Sequence, residues 1–204
     1  MSLLLGLAGP ARSEDWQVIH DDGDVLVQQR AYIDSPLMEL RGQTRLRGSL
    51  GEVMALLKDA DFNDQWVYRS GGARILEESG YARAWVYGVV DAPWPMQDRD
   101  TVVRFDYSQD PDTRVIRIDI TNVPDFYPAQ VSLVRVPDFG GFWELTPQAD
   151  GWVEVVYQVR GDPGGWVPVW MANYAAQASV LRTLRQMPEA VENYRSASSA
   201  EVLD

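Results

Sequence analysis

The chain reads as an α+β protein in which a curved antiparallel sheet wraps around a long C-terminal helix. Three observations predict this. Apolar and polar residues alternate at period two through most segments between residues 81 and 160. Tight-turn signals, Asp110-Pro111-Asp112 and Asp150-Gly151, separate neighbouring segments and favour antiparallel hairpins. A single long stretch with helical spacing then closes the chain, over residues 168–188.

Taken in order, residues 16–30 form a short strand pair broken at Asp21-Asp22-Gly23-Asp24. That cluster lacks the spacing and closing Glu of a calcium loop and reads as a solvated turn. Residues 38–46 alternate as a strand. Ser49 caps a helix through Leu57, with Glu52 completing a capping box and Val53, Leu56 and Leu57 on its apolar face. Residues 59–63 end that helix, and Trp66 begins an extended stretch. Strands are predicted over 81–90, 101–107, 115–120, 131–136, 141–145 and 152–160. Val103, Phe105 and Tyr107 share one face against Arg104 and Asp106. Ile116, Ile118 and Ile120 oppose Arg117 and Asp119, and Val153, Val155, Tyr157 and Val159 oppose Glu154, Gln158 and Arg160. The sheet is therefore apolar on one side and wet on the other. Asp162-Pro163-Gly164-Gly165 stops the last strand, and Pro168 suits a first helical turn. Trp170, Tyr174, Gln177, Ala178, Leu181 and Leu184 follow at helical spacing, and Pro188 ends or kinks the helix.

A chain of 204 residues suits one domain and buries roughly 70% of its unfolded surface, so it needs no covalent staples. The absence of cysteine excludes disulfides, thiolate metal sites and cysteine nucleophiles. A net charge of −12 repels nucleic acid and disfavours strongly anionic membranes. Eight Trp and nine Tyr suit a large internal surface with polar handles, as an amphipathic ligand requires. Residues 1–14 are apolar with a small-x-small pattern at Gly9-Pro10-Ala11, which reads as a signal remnant or an apolar arm. A periplasmic or secreted location is favoured over a cytoplasmic one. Residues 15–195 form the domain and residues 196–204 a tail.

Three segments, in order and in register, resemble the START (StAR-related lipid-transfer) family over residues 16–191. Pro93-Trp94-Pro95-Met96-Gln97-Asp98-Arg99-Asp100 is similar to its proline-rich turn leading into Arg-Asp and a strand. Arg135-Val136 with Gly141-Phe142-Trp143-Glu144-Leu145-Thr146-Pro147 resembles its central hairpin, and residues 162–170 with Asn173 the start of its last helix. The resemblance implies a helix-grip fold whose sheet and helix enclose a hydrophobic tunnel for one lipid or sterol. It also implies a gate between that helix and the loop at residues 122–130, which carries Pro124, Phe126, Tyr127 and Pro128; the residues themselves read equally as an ordinary loop with packed aromatics. One departure stands out. Several animal members carry an Arg six positions after the motif Arg, facing an acidic partner inside the tunnel; here those positions are Phe105 and about Val86. Arg99 and Asp100 are expected to fix the turn into the strand by hydrogen bonds and an ion pair.

Enzymatic residues are not found. The only histidine, His20, lies beside Asp21 and Asp22, and no Gly-x-Ser-x-Gly elbow, dinucleotide fingerprint or phosphate loop occurs. Gly71-Gly72 and Gly164-Gly165 read as turn glycines. The expected function is a soluble carrier of one phospholipid, fatty acyl or sterol-like ligand, with transient membrane contact, no cofactor, no metal and no assigned protein partner. The alternatives are a polyketide cyclase or aromatase of the same wider fold, and a ligand-sensing interaction module. The lining residues expected are Val86, Val103, Phe105, Ile118, Trp143, Val155 and Tyr157 from the sheet, and Trp170, Tyr174 and Leu181 from the helix. Tyr157 and Trp170 carry polar tips suited to a headgroup.

Overall fold

The computed structural model describes residues 15–32, 35–198 and 201–204. The apolar N-terminal segment, and the signal reading with it, lies outside the described residues.

The described residues open with β1 (Gln17–Asp21) and β2 (Val25–Ala31). The Asp22 carboxylate between them accepts from the backbone N–H of Asp24 and Val25, at 3.2 and 2.9 Å, which fixes the turn locally. After β3 (Met38–Arg47) comes α1 (Leu50–Lys58), whose Ser49 and Glu52 form the expected capping box. Then follow α2 (Asn63–Trp66), β4 (Ser70–Ser79), β5 (Arg83–Val90), β6 (Arg99–Gln109) and β7 (Ile116–Asn122). The last part holds β8 (Val134–Arg135), β9 (Asp138–Gln148), β10 (Trp152–Asp162) and α3 (Val169–Ala190). The strands form one sheet in the order β1-β2-β3-β10-β9-β7-β6-β5-β4, antiparallel throughout that path. β8 stands off the path and pairs in parallel with the start of β6.

Three local expectations fail, each for a physical reason. Residues 70–79 form a full strand, and Gly71-Gly72 belong to it: register shifts between Ser70 and Ala73, and again between Ile75 and Glu77, break the alternation. Trp66 ends a helical turn closed by the Val67 N–H on the Asn63 carbonyl at 2.9 Å, and does not begin a strand. Residues 131–136 contribute only a two-residue strand, because β7 already occupies the edge of β6 from Val103 onward. Val131 is left fully exposed.

The core sits between the concave face of the sheet, α1 and the second half of α3, around Leu40, Leu46, Val53, Leu145, Val155 and Leu184. Val202 joins this core, and the Asp204 carboxylate accepts from the Gly51 N–H at 2.8 Å in the first turn of α1. On α3 the expected apolar stripe is rotated. The buried positions are Val180, Thr183, Leu184, Met187 and Ala190, whereas Trp170 is 69% exposed and Tyr174 65%. Small inner-face residues carry little hydrophobic signal, so the aromatics dominated the periodicity.

Candidate functional site

A cavity of about 500 Å³ lies between the first half of α3 and strands β4–β6. Its size falls within the roughly 300–1,000 Å³ of small-molecule sites. Alternation in the strands builds one wall: Ala84, Val86 and Gly88 of β5 and Val103, Phe105 and Tyr107 of β6 face inward. The roof is α3, which presents Met171, Ala172, Ala176, Ser179 and Val180. These side chains are mostly small, so the helix spans the sheet without filling the space beneath it. Asn173 holds the helix in place. Its side-chain oxygen accepts from the Met38 N–H at 2.9 Å, and its amide donates to the Pro36 carbonyl at 3.4 Å.

The expected lining residues divide into three groups. Val86, Val103, Phe105, Tyr157 and Tyr174 line the cavity. Ile118, Trp143 and Val155 are packed in the core next to it, and Leu181 packs against that core. Trp143 stacks on Tyr157 with ring centroids 3.8 Å apart, so it supports a wall without forming one. Trp170 points to the outside. Burial pushes the Tyr157 phenol well above its ordinary range.

Charged groups stand at both ends of the cavity. At the inner end the Lys58 ammonium lies 3.8 Å from the Tyr81 ring centroid and 4.7 Å from that of Tyr107. Burial holds this lysine below its usual range, while the Glu78 charge pulls the other way. At the outer end Arg99, the first residue of β6, is 8% exposed and on the inward register with Thr101 and Val103. Neither cation figured among the expected lining residues. The signal for Arg99 was present: it continues the inward alternation of Val103, Phe105 and Tyr107.

Among the lining residues Asp91, Pro93 and Asp162 are exposed, and we place the mouth there, between residues 91–96, residues 161–167 and the start of α3. Around it Trp94 is 92% exposed and Trp166 89%. The loop at residues 122–130, expected as the gate, packs elsewhere and does not line the cavity. Phe126 stacks on Trp85 at 5.2 Å and Tyr127 packs on Tyr87 at 5.2 Å, both on the outer face of β5. Arg135 pins this loop from below, donating to the carbonyls of Pro124, Tyr127 and Pro128. The same guanidinium makes a bidentate pair with Asp100, which is fully buried, at 3.0 and 2.9 Å. The ion pair expected at the Arg-Asp motif is thus made by Asp100 with Arg135. Arg99 takes no part in it. His20 lies at the far edge of the sheet, 3.0 Å from Asp22 and 3.1 Å from Arg185.

No protein-family model matches the chain. The fold and sequence do match the crystal structure of a STAR-related lipid transfer protein from Xanthomonas axonopodis. The TM-score is 0.81 and the identity 32%, over 87% of this chain and 98% of that one. The chain belongs to the START family. A Pseudomonas aeruginosa relative, the uncharacterized protein PA1579, is 33% identical over 189 residues, 93% of each chain. Human StAR-related lipid transfer protein 5 shares the START fold at a TM-score of 0.78 and 18% identity, over 89% of this chain and 88% of that one. The Zhui aromatase/cyclase from Streptomyces shares it more distantly, at 0.53 and 19%, over 81% of this chain and 98% of that one. Phe105 and Val86 both line this cavity, and the wall there is apolar.

Proposed function

We propose that this START protein is a non-enzymatic carrier that holds one hydrophobic ligand, phospholipid, fatty acyl or sterol-like, beneath α3 and exchanges it with membranes. The observation that carries this reading is the apolar cavity of about 500 Å³ under the small-residue half of the helix. Each ligand methylene moved from water into such a wall contributes about 0.8 kcal/mol, so an acyl chain supplies ample retention. Exchange takes place at the mouth, where Trp94, Trp166 and Trp170 stand exposed. Indole rings favour the bilayer interface, and a protein of net charge −12 approaches a zwitterionic surface more readily than an anionic one. No described helix is long and apolar enough to cross a membrane, so the contact is peripheral in this reading.

The test is transfer of a fluorescent phospholipid between zwitterionic vesicles. Wild-type protein should accelerate transfer in proportion to its concentration. The Trp94→Ala/Trp166→Ala variant should slow it while keeping its thermal stability within about 0.5 kcal/mol. Transfer unaffected by the protein would remove the carrier reading, and an unimpaired variant would remove the docking role of the tryptophans.

A further inference from the structure

We infer that Arg99 forms an anion-binding subsite at the outer end of the cavity, and that the ligand is an amphipath with a carboxylate or phosphate headgroup. This rests on the carrier reading and narrows it, from any hydrophobic molecule to an anionic one.

The argument starts from the strand. Along β6, Arg99, Thr101, Val103 and Phe105 line the cavity, while Asp100 turns to the outer face and meets Arg135. Arg99 is more than nine-tenths buried. Its Nη1 donates to the Gln97 carbonyl, and its buried Nε has no hydrogen-bond partner. Among the described residues no carboxylate lies within 4.0 Å of it. Of the acids at this end, Asp98 accepts from the Ala92 N–H at 2.8 Å and Asp162 from the Gly164 N–H at 2.8 Å, while Asp91 lines the cavity with its carboxylate beside Gly71 and makes no ion pair with Arg99. A guanidinium keeps its charge at all working pH values, and a buried charge without a partner is unfavourable. An anion entering through the mouth would relieve that imbalance with charge-assisted hydrogen bonds.

The inner cation is placed differently. The positive charge of Lys58 is already faced by the rings of Tyr81 and Tyr107. From Arg99 to Tyr107 the strand spans roughly 26 Å, lined by apolar side chains between Val103 and Tyr107. The headgroup therefore sits near the mouth on Arg99 and the chain runs inward along β6.

Oleate and oleyl alcohol share one chain and differ in charge, so the pair isolates the subsite. Delipidated full-length protein should bind oleate about tenfold tighter than oleyl alcohol or better. Arg99→Gln should lose that preference while keeping its affinity for the alcohol, and Arg99→Lys should recover part of it. Equal affinities in wild type, or an unchanged preference in Arg99→Gln, would overturn the subsite and leave the carrier intact. Failure of wild type to bind either compound would overturn the carrier reading itself. If Arg99→Gln does not fold, wild type still decides. Its oleate preference must vanish as the pH falls through the carboxylate range near about 4–5, with the alcohol unaffected, and a flat profile contradicts the proposal. Inorganic phosphate should not displace oleate; if it does, the site belongs to a free anion and the amphipath assignment fails.

Discussion

The two halves of α3 lie over the same sheet and do opposite things. In the second half Val180, Leu184 and Met187 are buried to 1%, 0% and 0% exposure. Val180 and Leu184 press on Gly42 of β3, where an added Cβ would lie 2.3 Å from Leu184 and 2.6 Å from Val180. In the first half the inner positions are Met171, Ala172, Ala176 and Ser179, mostly small, and the helix roofs an open space. The backbone is one continuous helix, and its inner side chains are larger over the packed core than over most of the cavity. Stability is stored at one end, and the other is free to admit a ligand.

Substitutions at the two ends should therefore separate stability from binding. Leu184→Ala removes a fully buried side chain and should cost about 2–5 kcal/mol in denaturant unfolding, with lipid uptake by the folded protein retained. Gly42→Ala crowds the same contact and should cost about 1–3 kcal/mol. An unchanged midpoint would show that α3 lifts freely from β3 and that its two halves are not distinct. Ala172→Leu with Ala176→Leu fills the open half; thermal unfolding should move by no more than about 1 kcal/mol. A larger loss would mean that the first half is packed as tightly as the second.

Most of the architecture was legible because hairpin signals and alternation are local. The aspartates at residues 21–24 and the Ser49/Glu52 box made in the structure the hydrogen bonds their spacing predicts. β4 was legible only as an extended stretch, since two bulges remove the period that would have marked its faces. The cavity was only half legible. Alternation reports which face a residue takes, and it placed Val86, Val103, Phe105 and Tyr157 correctly toward the helix. It does not report whether that face meets a side chain or a void, so Ile118, Trp143 and Val155 could not be told apart from them. The loop at residues 122–130 was misplaced because β5 is apolar on both faces. Its outward Trp85 and Tyr87 offer Phe126 and Tyr127 a surface that sequence alone does not distinguish from the tunnel. On α3, alanine and serine mark the roof by their size, a weaker periodic signal than that of Trp170 and Tyr174.

The most direct test is native mass spectrometry of wild type and the Ala172→Leu/Ala176→Leu variant after incubation with lipid vesicles. The expected result is a single adduct of one lipid per wild-type chain and a bare mass for the variant. A variant that keeps the full adduct would contradict a ligand site beneath the first half of α3.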